Sequence, residues 1–173
     1  MPGELTSYNP ASGEFTYYGW PYAPGVGGLD SVMGYDAARD MLVMTSFRAN
    51  NRVMAEHSLD NPASTWRVVE QRNAPDTVHG QNAFAWSSLR NAWIVWMPQG
   101  GNTVYEVRAT GVNGSGTPVY TWQPLTAAAN TVTPIDPAKV GTGPFEKFQV
   151  VKTAAGDELL IGQVRPADGV FAF

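Results

Sequence analysis

The chain has 173 residues, enough for one domain with a real core. Its net charge is −4, from 11 Lys+Arg against 15 Asp+Glu with no basic cluster, so it lacks the positive footprint that nucleic-acid binding needs. The absence of cysteine excludes disulfides, thiol catalysis and Cys-ligated zinc, and no run of about 18 apolar residues offers a transmembrane helix.

Charged residues make up only 15% of the chain, against roughly 25% in an average domain, while 18 Gly and 13 Pro are scattered along its length. That balance predicts many short strands joined by turns, an all-β fold. The start, Met1–Pro10, has neither a basic stretch nor an apolar one, so no signal peptide is expected. Localisation stays open, with a virion or extracellular setting preferred over the cytoplasm.

Taken in chain order, residues 4–20 contain "YNPASGEF", which is echoed by "DNPASTW" at Asp60–Trp66. They read as a turn between two short strands. Residues 29–70 read as a unit of four strands: Val32–Tyr35, the turn "DAARD", Met41–Thr45, Arg52–Leu59, and a last strand with Trp66. Residues 81–126 repeat that plan with Ala83–Trp86, the turn "SSLRN", Ala92–Met97, Thr103–Thr110 and a last strand with Trp122. An offset of 51 sets Tyr35 on Trp86, Arg39 on Arg90, Leu42 on Trp93 and Val53 on Val104. The offset becomes 56 at Trp66 and Trp122, so the loop "VNGSGTP" is read as a five-residue insertion. Residues 145–173 hold a weaker copy: Phe148–Val151, Glu158–Ile161 and Gly169–Phe173, the last falling on Arg52–Glu56. The second strands are almost wholly apolar, as expected of strands covered on both faces.

Four antiparallel strands recurring every 50 to 60 residues point to propeller blades. The stretch "IVWMPQGGNTVYEVRATG…YTWQPL", with Gly100-Gly101 and Trp122, resembles a kelch-type blade. The first unit keeps Trp66 without the Gly pair, and the third keeps neither marker. The resemblance implies a kelch-like β-propeller of about three blades per chain, cut inside one blade, with residues 4–20 as the displaced half-blade. A β-sandwich is the competing architecture.

Propellers have four to eight blades. Three blades therefore imply a ring closed by other copies, head to tail, most simply a dimer. The alternative is a segment of a longer propeller. Tyr8, Phe15, Tyr17, Val170, Phe171 and Phe173 are the candidate assembly residues.

Catalytic signals are absent. His57 and His79 lie in no metal-ligand pattern, there is no Gly-x-Ser-x-Gly elbow, and Asp36, Asp40, Glu56, Asp60 and Asp76 fall where solvated carboxylates normally lie. Neither an enzyme, a cofactor nor a metal is expected. "NGS" at Asn113–Ser115 matches a glycosylation sequon but reads as a turn in its Gly-rich context. A binding surface would come from the loops between second and third strands and from the linkers before first strands. Trp20, Tyr22, Arg48, Asn50, His79 and Gln99 are its candidate residues, with packing between blades as the plainer role for Trp20 and Tyr22. The expected function is non-catalytic binding or assembly, as in a phage or viral tail or capsid-associated component contacting copies of itself or neighbouring structural proteins. A carbohydrate-binding or glycan-processing propeller fragment is the alternative.

Overall fold

The computed structural model describes residues 6–17, 31–48, 51–75, 82–96, 104–125, 148–162 and 171–172. Among them every regular element is a β-strand. A hairpin pairs β1 (Thr6–Asn9) with β2 (Glu14–Tyr17). A first sheet runs in the order β3 (Ser31–Asp36), β4 (Met41–Arg48), β5 (Asn51–Ser58), β6 (Arg67–Val68). A second sheet runs β8 (Ala83–Ser87), β9 (Ala92–Trp96), β10 (Val104–Val112), β11 (Pro118–Leu125), β7 (Glu70–Arg72). A third contains β12 (Phe148–Lys152), β13 (Glu158–Gly162) and β14 (Phe171–Ala172). Every pairing is antiparallel except β7 with β11.

The repeat is present as register. Tyr35 pairs with Leu42 as Trp86 pairs with Trp93. The turns between these strands share one chemistry: Asp36 Oδ1 accepts the Ala38 and Arg39 amides, and Ser87 Oγ accepts the Arg90 amide. Each of those turns closes on a residue with positive φ, Asp40 at 52° and Asn91 at 50°, the residue types that tolerate the left-handed region best. In the third sheet the turn is one residue longer and Gly156, at φ 91°, supplies the left-handed step. Ile161 opposite Ala172 matches Met44 opposite Ala55, so β14 stands in the third sheet where β5 stands in the first.

Register also corrects one alignment. Val43 opposes Glu56 while Ile94 opposes Glu106, so the offset falls from 51 to 50 across the second loop. Val104 is therefore the counterpart of Met54, not of Val53. Glu56 then opposes Arg67 and Glu106 opposes Gln123, which makes the later insertion six residues. Part of it is a bulge at Ala109/Gly111, with Gly111 at φ 127°. The remainder is a turn in which Asn113 Oδ1 accepts the Ser115 and Thr117 amides, each at 3.0 Å.

The fifth strand of the second sheet was not expected. After β6 the chain crosses from the outer edge of the first sheet to the outer edge of the second. There β7 lies parallel to β11, with Gln71 opposite Tyr120. Asn113 Nδ2 donates to Glu70 Oε2 at 2.7 Å and fastens this strap.

The three sheets approach one another through their first strands, β3 beside β8 and β8 beside β12. The main core fills the space between the first two: Val32, Met41, Val43 and Met54 from one, Phe84, Trp93, Val95, Val107, Tyr120 and Trp122 from the other. Ala83, Ile94, Trp96 and Val104 form a second cluster on the opposite face of the second sheet. All five residues of β9 are buried, as its apolar sequence predicts. On β4, Met41, Val43 and Thr45 are buried, but Leu42 and Met44 are only half-buried, so one of its faces is incompletely covered.

Candidate assembly surfaces

The first surface is the amino-terminal hairpin. Asn9-Pro10-Ala11-Ser12 makes its turn: Asn9 Oδ1 accepts the Ala11 amide at 2.9 Å, and Gly13, at φ 73°, donates to the Asn9 carbonyl at 2.8 Å. The twin sequence at Asn61–Ser64 closes more tightly, with the Ser64 amide donating to the Asn61 carbonyl at 2.9 Å inside a longer loop. Among the described residues the two strands of the hairpin pair only with each other. All eight of their residues are exposed. The Tyr8 and Phe15 rings meet at a tilt, 4.8 Å between centroids, and Phe15 is 73% accessible to solvent. Tyr17 is exposed on the same strand as Phe15. An isolated two-stranded hairpin is marginal in water, and this one leaves its three aromatic side chains exposed.

The second surface is internal and shows how one sheet grips the next. Arg39, in the turn after β3, donates from Nε to Asp36 Oδ2 at 2.7 Å, from Nη1 to Glu56 Oε2 at 3.0 Å, and from Nη2 to the Tyr120 hydroxyl across the seam. Tyr120 in turn donates to Glu56 Oε2 at 2.8 Å, and Arg67 Nη2 holds the other carboxylate oxygen at 2.5 Å. Burial and the neighbouring Glu56 charge push the Tyr120 phenol above its ordinary range, so it remains a neutral donor. The second sheet repeats half of the arrangement: Arg90 holds Glu106 at 3.2 Å, whereas the second arginine, Arg108 at 2.5 Å, comes from β10 itself and not from the opposing strand. Burial opposes ionisation of Glu106, but the two arginines hold its carboxyl below the usual range. At the next seam Glu158, from the third sheet, accepts from Ser87 Oγ, from Ser88 Oγ at 3.0 Å and from the Leu89 amide at 3.0 Å.

These contacts overturn the expectation that Asp36 and Glu56 are solvated. Each is 1% exposed and committed to arginine. His57 is likewise buried, its ring tilted against Trp66 at 5.3 Å. Asn113 is engaged in its turn and in holding β7, which agrees with reading "NGS" as a turn. The pairing of Arg39 with Glu56 and of Arg90 with Glu106 was missed from sequence because the loop between them shifts the offset by one.

Of the proposed ligand-binding residues, Trp20, Tyr22, Asn50, His79 and Gln99 lie outside the described residues, and Arg48 is placed only as the strand residue opposite Asn51. Of the assembly residues, Val170 and Phe173 lie outside them, and Phe171 is placed in β14 opposite Gly162. Among the described residues no cluster of His, Asp or Glu could hold a metal ion. No known family model, curated protein or solved structure matches this chain.

Proposed function

We propose that this chain is a non-catalytic assembly protein, a kelch-like three-bladed propeller segment whose copies join head to tail through their amino-terminal hairpins, two copies completing a six-bladed ring. In this reading the three sheets are consecutive blades. Their closest approach through first strands, β3 beside β8 and β8 beside β12, supports a fan of blades around an axis. The matching Arg39–Glu56 and Arg90–Glu106 pairs support equivalence of the first two units. The commitment of Asp36, Glu56 and Glu106 to arginines favours a structural over a hydrolytic role for the buried carboxylates.

The observation that carries the proposal is the hairpin. It exposes Tyr8, Phe15 and Tyr17, while among the described residues the third sheet ends at β14, one strand short of the first. A hairpin from another copy supplies the missing strand and removes two open edges at once. A heterologous contact of this kind closes into a ring or runs on as a filament, either of which suits a structural component of a larger particle.

Mass in solution tests it. One chain is 18.7 kDa, so the dimer is 2 × 18.7 = 37.4 kDa. Sedimentation equilibrium should give the dimer or a larger closed species, and Phe15→Ser should shift it to monomer. A compact wild-type monomer at micromolar concentration would overturn the proposal.

A further inference from the structure

Faces repeat in this molecule as strands do. At the seam between the first two sheets, Trp93 lies directly on Gly34, so close that a Cβ there would stand 2.5 Å from Trp93 Cζ3. Trp86 opposes Trp93 and packs edge-on against it at 5.2 Å. The register counterparts of Trp86 and Trp93 in the first sheet are Tyr35 and Leu42. Trp93 is 1% exposed, yet Tyr35 is 46% and the neighbouring Met33 49% exposed, with Leu42 and Met44 half-buried. The face that is covered in the second sheet is open in the first.

We infer that this open face is the docking site for the third sheet of a second copy, an inference that rests on the head-to-tail reading and adds its second contact surface. Continuity is the first ground. The sheets succeed one another as β3, β8, β12. A hairpin that completes another copy's third sheet leads next into its own β3, so that β3 falls beside the other copy's β12.

Volume is the second ground. Gly34 opposes Val43 and Val150 opposes Leu160, which makes Val150 the counterpart of Gly34 on the incoming sheet. A Trp over a Gly at the internal seam becomes Leu42 over Val150 at the new one, a medium pair in place of a large and a vanishing one. Volume-conserving exchanges of this kind are what packed seams tolerate.

Charge is the third. Ser87 at the end of β8 donates to Glu158 at the start of β13. The corresponding positions at the new seam are Lys152, at the end of β12, and Met41, which directly follows Asp40. Lys152 and Asp40, one residue before the acceptor position, bring opposite charges to the two sides, and Asp40 Oδ1 also accepts the Tyr35 hydroxyl at 2.8 Å.

The chain has no cysteine, so introduced thiols are unique. Leu42→Cys and Val150→Cys single variants, refolded together and mildly oxidised, should form a mixed covalent dimer. Neither variant alone should do so, nor should Val150→Cys with Cys at the exposed control position Val112. Tyr35→Lys, at an exposed site, should give a folded monomer by circular dichroism and sedimentation. If Phe15→Ser dissociates the dimer while the 42/150 pair fails to cross-link, or Tyr35→Lys stays dimeric, the docking inference falls and the assembly reading stands. A monomeric wild type removes both.

Discussion

Arg39 ties two buried carboxylates of its own sheet to the next sheet. Asp36 and Glu56 are buried beside it, and its guanidinium serves both while reaching Tyr120 in the next sheet. Removing one partner of a buried ion pair leaves an uncompensated charge, so Arg39→Ala should cost about 3–5 kcal/mol. Arg90→Ala should cost about 1 kcal/mol, since Glu106 keeps Arg108 and the lost pair is half in solvent. Urea unfolding midpoints of the two variants check the ranking. His57 gives the pH dependence. Burial holds its imidazole below the ordinary 6.5, partly offset by the Pro62 carbonyl. Between the folded value and about 6.5 the unfolded chain binds more protons, so stability is complete above about 6.5 and declines as pH falls through it. His57→Phe should flatten that decline, a difference readable as thermal midpoints at pH 7.5 and 5.5. At this scale the sequence was only half legible. Arg39 and Arg90 align visibly, but their glutamates do not, because one residue is lost in the loop between them. Burial of Asp36 and Glu56 was hidden as well, since a carboxylate in a turn or an alternating strand looks solvated until its cation is placed.

At the scale of elements, the seam depends on a glycine. β3 presents Val32, Gly34 and Asp36 to the second sheet, and the missing side chain at the centre admits the Trp93 ring, stacked on Phe84 at 4.2 Å. Gly34→Ala should therefore cost about 1–3 kcal/mol through overpacking. The double variant Gly34→Ala/Trp93→Leu should be less destabilised than the sum of the two single changes, which a double-mutant cycle of unfolding free energies measures. The strands of the first two units and their turns were readable from apolar runs bounded by Asp and Asn. β7 was not. Glu70–Arg72 is a polar tripeptide without a strand pattern, and it is extended because β11 offers an edge and Asn113 an amide. Tertiary pairing of that sort overrides local propensity and leaves no periodic trace.

For the whole molecule, the same logic separates a closed unit from an open one. The second sheet has neighbours on both faces and its strand β9 is wholly buried, whereas the first sheet shows an open face and the hairpin is exposed on every strand residue. In the proposed assembly another copy covers that face and the hairpin, so stability depends on concentration. The thermal midpoint of the wild-type chain should therefore rise as protein concentration is raised from the micromolar to the hundred-micromolar range, because a partner that binds only the folded chain shifts unfolding by mass action. A chain lacking residues 1–17 should unfold at a lower midpoint that no longer responds to concentration. The comparison isolates the hairpin, because its removal leaves the contacts of Glu56, Glu106 and Glu158 in place. A wild-type midpoint that stays level over that range would mean the exposed aromatics do not contribute to association, and the six-bladed ring would have to be abandoned.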